Sequence, residues 1–541
     1  MGAHTLVARV TDTADRRDAG GTAGPGAGLR PVLRGGVVNM AGAVVGAGLN
    51  LLLIVAITRA FSQETAGLLF SATSVFLIAA VVANLGAPDG LVYFIARMRV
   101  FGRPGGVPRL LRLAMGPAVC AACVLAGALL VFAEPMAGAL GSGEAAAYLR
   151  LLAVFLPFAV LTDSALAAAR AHHDMAGTVL VDRVGRPLAQ LGLVAGIAVT
   201  GSAGLLALAW AGPYLPAAAL AWFWLGRILR GARPGAGPGH GPGAGADRGD
   251  QAREDPAPAG GAGAPGAAGA EPVAAREFWT FALPRALGGL AQMGVQRGGV
   301  VLVALLSGLA GAAVFTAATR VMVVGQFGTQ AVLFAAQPRF AEQVATGDHE
   351  GIRSLYRAGT AWLLCVTGPL YLSVLVFAPE VMRLFGPGYA EGATALVVVC
   401  AGQLLGSVLG MGDLILTMTG RTGLNLLNNM LSLAANVAVC VALVPWAGAT
   451  GAAVALVAAV LVRKALPLWQ LRSQVVLHPF GRPVAAAALS AVLWFGALPL
   501  LADAVAGGGF AAAAAALTAG VLGHAATVWS LRGLLGLRPR G

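Results

Sequence analysis

Six ionisable residues sit where an apolar chain offers them little water. Arg285, Arg297 and Arg320 lie within long apolar runs, Arg59 closes another, and Asp163 and Asp413 are the two acids set well inside such runs. A lipid-exposed Arg at mid-span costs at least ~2.5–3.5 kcal/mol on insertion scales, so Arg297 and Arg320 are expected to face a cavity or an acidic partner. In a cavity, a guanidinium engages two oxygens of an anion at once. The competing reading is a structural ion pair or snorkelling to the near interface, above all for Arg320. Arg285 lies near the cytoplasmic end of its run, and Arg59 at the outer end of its own, where simple anchoring competes with a cavity role. A carboxylate in hydrocarbon either pairs or takes up a proton. Asp163 and Asp413 are therefore candidates for proton or sodium coupling, for pairing with the embedded arginines, or for a wet vestibule at the cytoplasmic ends of their spans. Gln292, Gln296, Gln326, Gln330 and Gln403 have two readings: bonding ligand hydroxyls in a central cavity, or bridging helices.

Other chemistries find no support in the residue pattern. Cys120 and Cys123 form a C-x-x-C, but no second pair or histidine cluster completes a zinc site. All five cysteines read as small buried thiols. No G-x-x-x-x-G-K-[ST] is present, so ATP hydrolysis by a P-loop is excluded. The outer acids Glu134, Glu144, Glu380 and Glu391 form no clear pair in connections too short for a catalytic loop, which rejects a membrane glycosyltransferase or polymerase. No cofactor or metal is expected.

The elements that position these residues follow from composition. Hydrophobic residues make up 58% of the 541-residue chain and charged residues 11%, with mean hydropathy +0.79. Soluble proteins carry about 25% charge, so a soluble globule is excluded. The apolar residues come in blocks of roughly 20, enough to cross about 30 Å of hydrocarbon. The chain reads as an all-α polytopic membrane protein with about fourteen spans: 36–58, 66–86, 113–133, 150–169, 180–200, 204–225, 279–306, 311–335, 358–378, 394–417, 424–445, 450–470, 484–505 and 511–531. Pro157 and Pro284 should kink spans four and seven. Trp210, Trp279, Trp446, Trp469 and Trp529 fall near span ends, as interfacial belts do.

Residues 1–34 read as a disordered cytoplasmic tail without a signal-peptide core. The Gly/Ala/Pro-rich stretch 231–276 cannot bury enough apolar area to fold and reads as a flexible cytoplasmic linker. It separates a six-span lobe, 35–230, from a second, 277–475; residues 476–541 add two spans and a tail. With both termini in the cytoplasm, thirty basic residues fall on the inner side and three, Arg59, Arg150 and Arg383, on the outer. The positive-inside rule thus orients the chain in the cell membrane, and most of the +13 net charge is an insertion signal rather than a nucleic-acid footprint. Asp182 and Arg186, four residues apart, read as a surface pair on the cytoplasmic extension of span five.

The halves echo one another. Arg34 and Arg276 open the runs into spans one and seven, Gly67 and Gly311 follow those spans, and Asp163-x-x-Leu166-x-x-x-Arg170 parallels Asp413-x-x-Leu416-x-x-x-x-Arg421, at offsets of 242, 244 and 250 residues. Near-constant offsets imply a 6+6 repeat, two lobes related by a pseudo-two-fold, with two helices appended. Many secondary transporters are built from such repeats.

Three stretches carry a family resemblance. NMAGAVVGAGLNLLLIVAITRAFSQETAG (39–67), with Asn39, Arg59 and Gly67, looks like the opening of polysaccharide flippases. NLGAPDGLVYFIAR (84–97) is similar to the stretch after their second helix, and NVAVCVALVPWAGATGAAVALVAAV (436–460) resembles their Asn, apolar run, Pro, Gly-x-x-Gly-Ala-Ala pattern. The resemblance spans about 34–230 and 277–531. It points to the polysaccharide flippase branch of the multidrug/oligosaccharidyl-lipid/polysaccharide exporter superfamily. It implies that the cargo is a lipid-linked oligosaccharide on polyprenyl diphosphate, flipped to the outer leaflet for cell-surface polysaccharide biosynthesis. For such a cargo, Arg297, Arg320, Arg285 and Arg59 are the candidates to meet the diphosphate, with glycosyltransferases or a polymerase as candidate partners. Where many relatives carry a late acid in span seven, this chain has Gln296-Arg297. A lipid II flippase would share the spans and the basic cavity; a cation-coupled small-molecule antiporter of the same superfamily would favour acidic residues there.

Overall fold

A computed structural model describes residues 29–100, 106–172, 174–231, 273–506 and 510–535, and every element among them is helical. The expectations for residues 1–28 and for most of the linker fall outside these residues; the last six residues of the expected tail, 29–34, are instead the first turns of a helix that runs on to Ala60. Among the described residues, twelve helices are long and apolar enough to cross a membrane, which makes the chain a multi-pass membrane protein. The first six helices are α1 (Leu29–Ala60), α2 (Gln63–Arg99), α3 (Val107–Val131), α4 (Glu144–Ala171), α5 (Thr178–Gly185 continued by Arg186–Thr200) and α6 (Ala203–Gly231). They are followed by α7 (Ala275–Ser307), α8 (Leu309–Thr346), α9 (His349–Val376) and α10 (Pro387–Val408).

The helical stretch Thr422–Leu471 is two arms, not one. Gly448 breaks it with φ 51° and ψ −129°. The side chains of Asn428 and Gln470 then bond each other at 2.9 and 2.7 Å, and Ser432 donates to the Ala459 carbonyl at 2.7 Å. Only an antiparallel hairpin brings those positions together, so 422–447 is α11 and 449–471 is α12. The pair α13 (Arg482–Val505) and α14 (Phe510–Ser530) completes the chain. Helix α5 is absent from the twelve because Asp182, Arg183 and Arg186 dilute its apolarity. With α5 added and the hairpin counted twice, the fourteen expected spans are all accounted for.

Two six-helix bundles emerge from the packing. In the first, α1 lies on α5, α2 on α3, and α4 on both α3 and α6; in the second, α7 lies on α11, α8 on α9, and α10 on both α9 and α12. The same pairings shifted by six helices are the repeat that the offsets foreshadow. Small residues permit the close approaches, as they commonly do in lipid. A Cβ on Gly402 would stand 2.2 Å from Val457, and one on Gly294 2.7 Å from Leu433. Outer faces are apolar, as a bilayer requires: Val199 is 89% and Val505 87% exposed. Trp446, Trp469 and Trp529 are exposed at helix ends, whereas Trp210 is packed edge-on to Phe76 inside the first bundle.

The bundles meet along α2, which faces α7 and α8. At one end, Gly67 abuts the Leu309 carbonyl; further along, α2 turns left-handed at Leu85 and Gly86, and Gly86 abuts the Ala282 carbonyl. At the far end Tyr93 stacks on Phe281 at 4.3 Å, and Arg97 bridges Glu277 at 2.6 Å. Helices α13 and α14 dock on α9, where His524 links Ser490 (2.8 Å) to the Cys365 carbonyl (3.1 Å). The cysteines need a correction. Cys400 and Cys440 are buried, but Cys120 and Cys123 are exposed on α3, a helix with one face outward, so neither is a core thiol.

Candidate functional site

All five singled-out glutamines converge on one cavity of about 140 Å³ inside the second bundle. Gln292 and Gln296 come from α7, Gln326 and Gln330 from α8, and Gln403 from α10. Their spacings of four residues place each pair on one helix face. None of the five side-chain amides bonds another protein group among the described residues. They are not helix bridges; they present donors and acceptors to an open space. One end of the cavity is ionic, formed by Asp413, Arg463 and Lys464.

That ionic end reassigns Asp413. The short helix Gly412–Met418 carries it against α12, where Lys464 Nζ reaches both carboxylate oxygens at 3.1 and 3.3 Å and also donates to the Gly410 carbonyl at 3.2 Å. Lys464, near the end of α12, is buried to 8% exposure. The partner of Asp413 is therefore this lysine and not an embedded arginine. Arg463 lies close enough to act on the same carboxylate but makes no hydrogen bond or ion pair of its own among the described residues. Two cations against one acid leave the end net positive.

In the first bundle, Asp163 accepts from Asn84 Nδ2 at 2.9 Å and has no ion pair among the described residues. Asp182 and Arg186 do pair, at 2.8 Å, but not as a surface pair. The π-helical start of α5 turns Arg186 inward, where its side chain is 19% exposed, donates to the Tyr214 hydroxyl and packs over that ring at 4.7 Å.

Arg297 and Arg320 lie within electrostatic reach of each other. Arg297 rides on a π-helical turn of α7, Gly294–Gly298, and Arg320 is on the antiparallel α8. A wide turn of this kind offsets consecutive side chains from the regular helical stripe, and Gln296 here enters the glutamine cavity. Arg297 instead lies within electrostatic reach of Tyr214 in the other bundle, and the two guanidiniums are near enough to repel each other. Neither has a hydrogen bond or ion pair among the described residues, and Arg320 Nε is buried without a partner. Two partly buried guanidiniums thus lie within electrostatic reach of each other, with no counter-ion among the described residues.

The other two arginines stand apart from this pair. Arg285 is exposed and lies over the Phe281 ring at 3.8 Å, beside the α2–α7 seam. Arg59 crosses between the bundles at the opposite end, donating to the Leu384 (2.8 Å) and Arg383 (3.1 Å) carbonyls. Sequence reasoning passed over Tyr214, Asn84, Arg463 and Lys464 as site residues. Asn84 and Tyr214 carried a weak signal as polar groups in apolar runs; Arg463 and Lys464 looked like an ordinary basic helix end.

No family model and no curated protein matches the sequence. Solved structures do match the fold. The lipid II flippase MurJ in an inward closed conformation overlays with TM-score 0.65 at 10% identity, covering 93% of this chain and 100% of that one. A multidrug resistance MATE family transporter of the MOP superfamily overlays in its inward-facing conformation with TM-score 0.62 at 15% identity, covering 81% and 97%. An outward-facing structure of such a transporter gives 0.52 at 16% identity, covering 82% and 95%. The chain has the fold that these MOP-superfamily transporters share.

Proposed function

We propose that the protein is a flippase that carries a polyprenyl-diphosphate-linked oligosaccharide across the cytoplasmic membrane by alternating access, for cell-surface polysaccharide biosynthesis. One observation carries the proposal: Arg297 and Arg320 stand together between the bundles without a counter-ion among the described residues. A diphosphate leaving the inner interface faces a steep desolvation cost, and fixed guanidiniums lower it while the polyprenyl tail stays in lipid. A cationic drug would be repelled there, which disfavours an antiporter of organic cations. On this reading the termini and linker are cytoplasmic, and the glycosyltransferases or polymerase that make and use the cargo are the partners.

The test is headgroup translocation in proteoliposomes, normalised to folded protein. Arg297→Gln and Arg320→Gln should each cut flipping strongly, and Arg→Lys at either position should retain part of it, because charge survives but the bidentate fork does not. Arg383→Gln serves as control, since that side chain is exposed and, among the described residues, pairs only with Glu380 at 3.4 Å. Flipping at the control's rate in both Gln variants rejects the proposal. A lipid II flippase is the second reading, favoured by the overlay on MurJ along all of that chain. Preferential transport of lipid II over an oligosaccharide cargo would select it.

A further inference from the structure

We propose that the glutamine cavity of the second bundle is a subsite for one acidic sugar, a uronic-acid-type ring, of the translocated glycan. The inference rests on the flippase reading and adds the chemical class of the cargo. Three features of the cavity define its ligand. Its lining offers five glutamine amides that no described protein group uses, each able to donate and accept, which matches a ring bearing several hydroxyls. Its volume of about 140 Å³, below the ~300–1,000 Å³ of sites for drug-sized ligands, is room for a single ring, and Gln292, Gln296 and Gln330 are exposed at its open side. Its one charged end carries Arg463 and Lys464 against Asp413, a surplus of one positive charge. Lys464 is committed to Asp413 and the Gly410 carbonyl, so Arg463 is the cation left to a ligand. Amides along the walls and the Arg463 guanidinium, which makes no hydrogen bond among the described residues, fit hydroxyls and a carboxylate on the same ring.

The diphosphate is the other anion of the cargo, and it fits this cavity less well. Arg297 and Arg320 lie outside its lining, and Gln296 and Arg297, consecutive on α7, divide between the two places. One turn of α7 thus holds the sugar subsite on one side and the anion pair on the other.

The full-length protein in lipid nanodiscs is titrated with free glucuronate, glucose, the methyl ester of glucuronic acid, acetate and inorganic diphosphate, and binding is followed by saturation-transfer NMR. Glucuronate should bind saturably in the millimolar range usual for so small a ligand, about tenfold or more tighter than glucose or the ester. Arg463→Gln should bring glucuronate to the level of glucose and leave glucose unchanged; Arg463→Lys should keep part of the preference. Gln326→Leu with Gln330→Leu should weaken both sugars, whereas the exposed Arg383→Gln should alter neither. The proposal is overturned by equal binding of glucuronate and its ester, which needs no variant to fold. It is equally overturned by no saturable binding up to about 100 mM, by displacement with acetate as effective as with glucuronate, or by diphosphate binding that Arg463→Gln abolishes. Binding needs no transport, so a protein that flips cargo but ignores glucuronate loses this inference and keeps the flippase reading. Conversely, selective glucuronate binding together with unaltered flipping in Arg297→Gln and Arg320→Gln keeps the sugar subsite and removes the arginine pair as the diphosphate site.

Discussion

At the scale of single residues, the charges inside this protein divide into satisfied and unsatisfied ones. Lys464 and Asp413 satisfy each other at 3.1 Å, with side chains 10% and 22% exposed. Removing one member of such a pair leaves a desolvated charge, at a cost of about 3–5 kcal/mol, while replacing both with neutral groups is far milder. Lys464→Met should therefore lower thermal stability in nanodiscs markedly, and Lys464→Met combined with Asp413→Asn should recover most of the loss. A double variant as unstable as the single one would show that the pair matters through packing instead. Arg297 and Arg320 belong to the opposite class. An arginine without a partner in this setting is retained against stability, which is why ligand binding is the economical explanation for it.

At the scale of elements, helix contacts are set by the absence of side chains as much as by their presence. Gly67 opens α2 where the Leu309 backbone crosses it; an added Cβ would lie 1.8 Å from the carbonyl oxygen and 2.6 Å from its carbon. Backbone cannot rotate aside as a side chain can, so Gly67→Ala should destabilise the protein by about 1–3 kcal/mol. Gly48 on α1 has nothing within 4 Å of its Cβ position. There the same substitution should be neutral or gain up to ~1 kcal/mol from helix propensity. Thermal unfolding of the two variants side by side checks this; equal shifts would mean that the α2–α8 seam is not a tight contact. The π-helical turn of α7 is the other element-level device. It sets Gln296 and Arg297 to different compartments, a division that a regular helical stripe does not specify.

For the whole molecule, two similar bundles meet along α2, α7 and α8, and Arg59 adds a tie at the Gly67 end through the Leu384 and Arg383 carbonyls. Two bodies joined along a narrow seam suit rocking about a site between them. Orientation in the membrane is a property of the entire chain and rests on thirty basic residues facing three. Single cysteines introduced at positions 20, 240 and 536 should resist a membrane-impermeant thiol reagent in intact cells and react after permeabilisation. Labelling of any one of them in sealed cells would overturn the cytoplasmic placement of the termini and linker.

The sequence alone determined what depends on local transfer free energy. Fourteen apolar blocks show where helices cross, and charges inside those blocks declare themselves because each is costly in hydrocarbon. Arg297 and Arg320 on consecutive, oppositely running spans were legible for this reason, as was the 6+6 order, since repeated helices keep their spacing. Which groups meet was not legible, because partnership depends on which helix faces adjoin and on turns that have no marker of their own. Only the tertiary structure paired Asp413 with Lys464, by laying a short helix against the end of α12, and turned Arg186 inward onto Tyr214. It also resolved the two readings of the glutamines: their spacing put them on common faces, but only the packing of α7, α8 and α10 left those faces looking into open space instead of into one another.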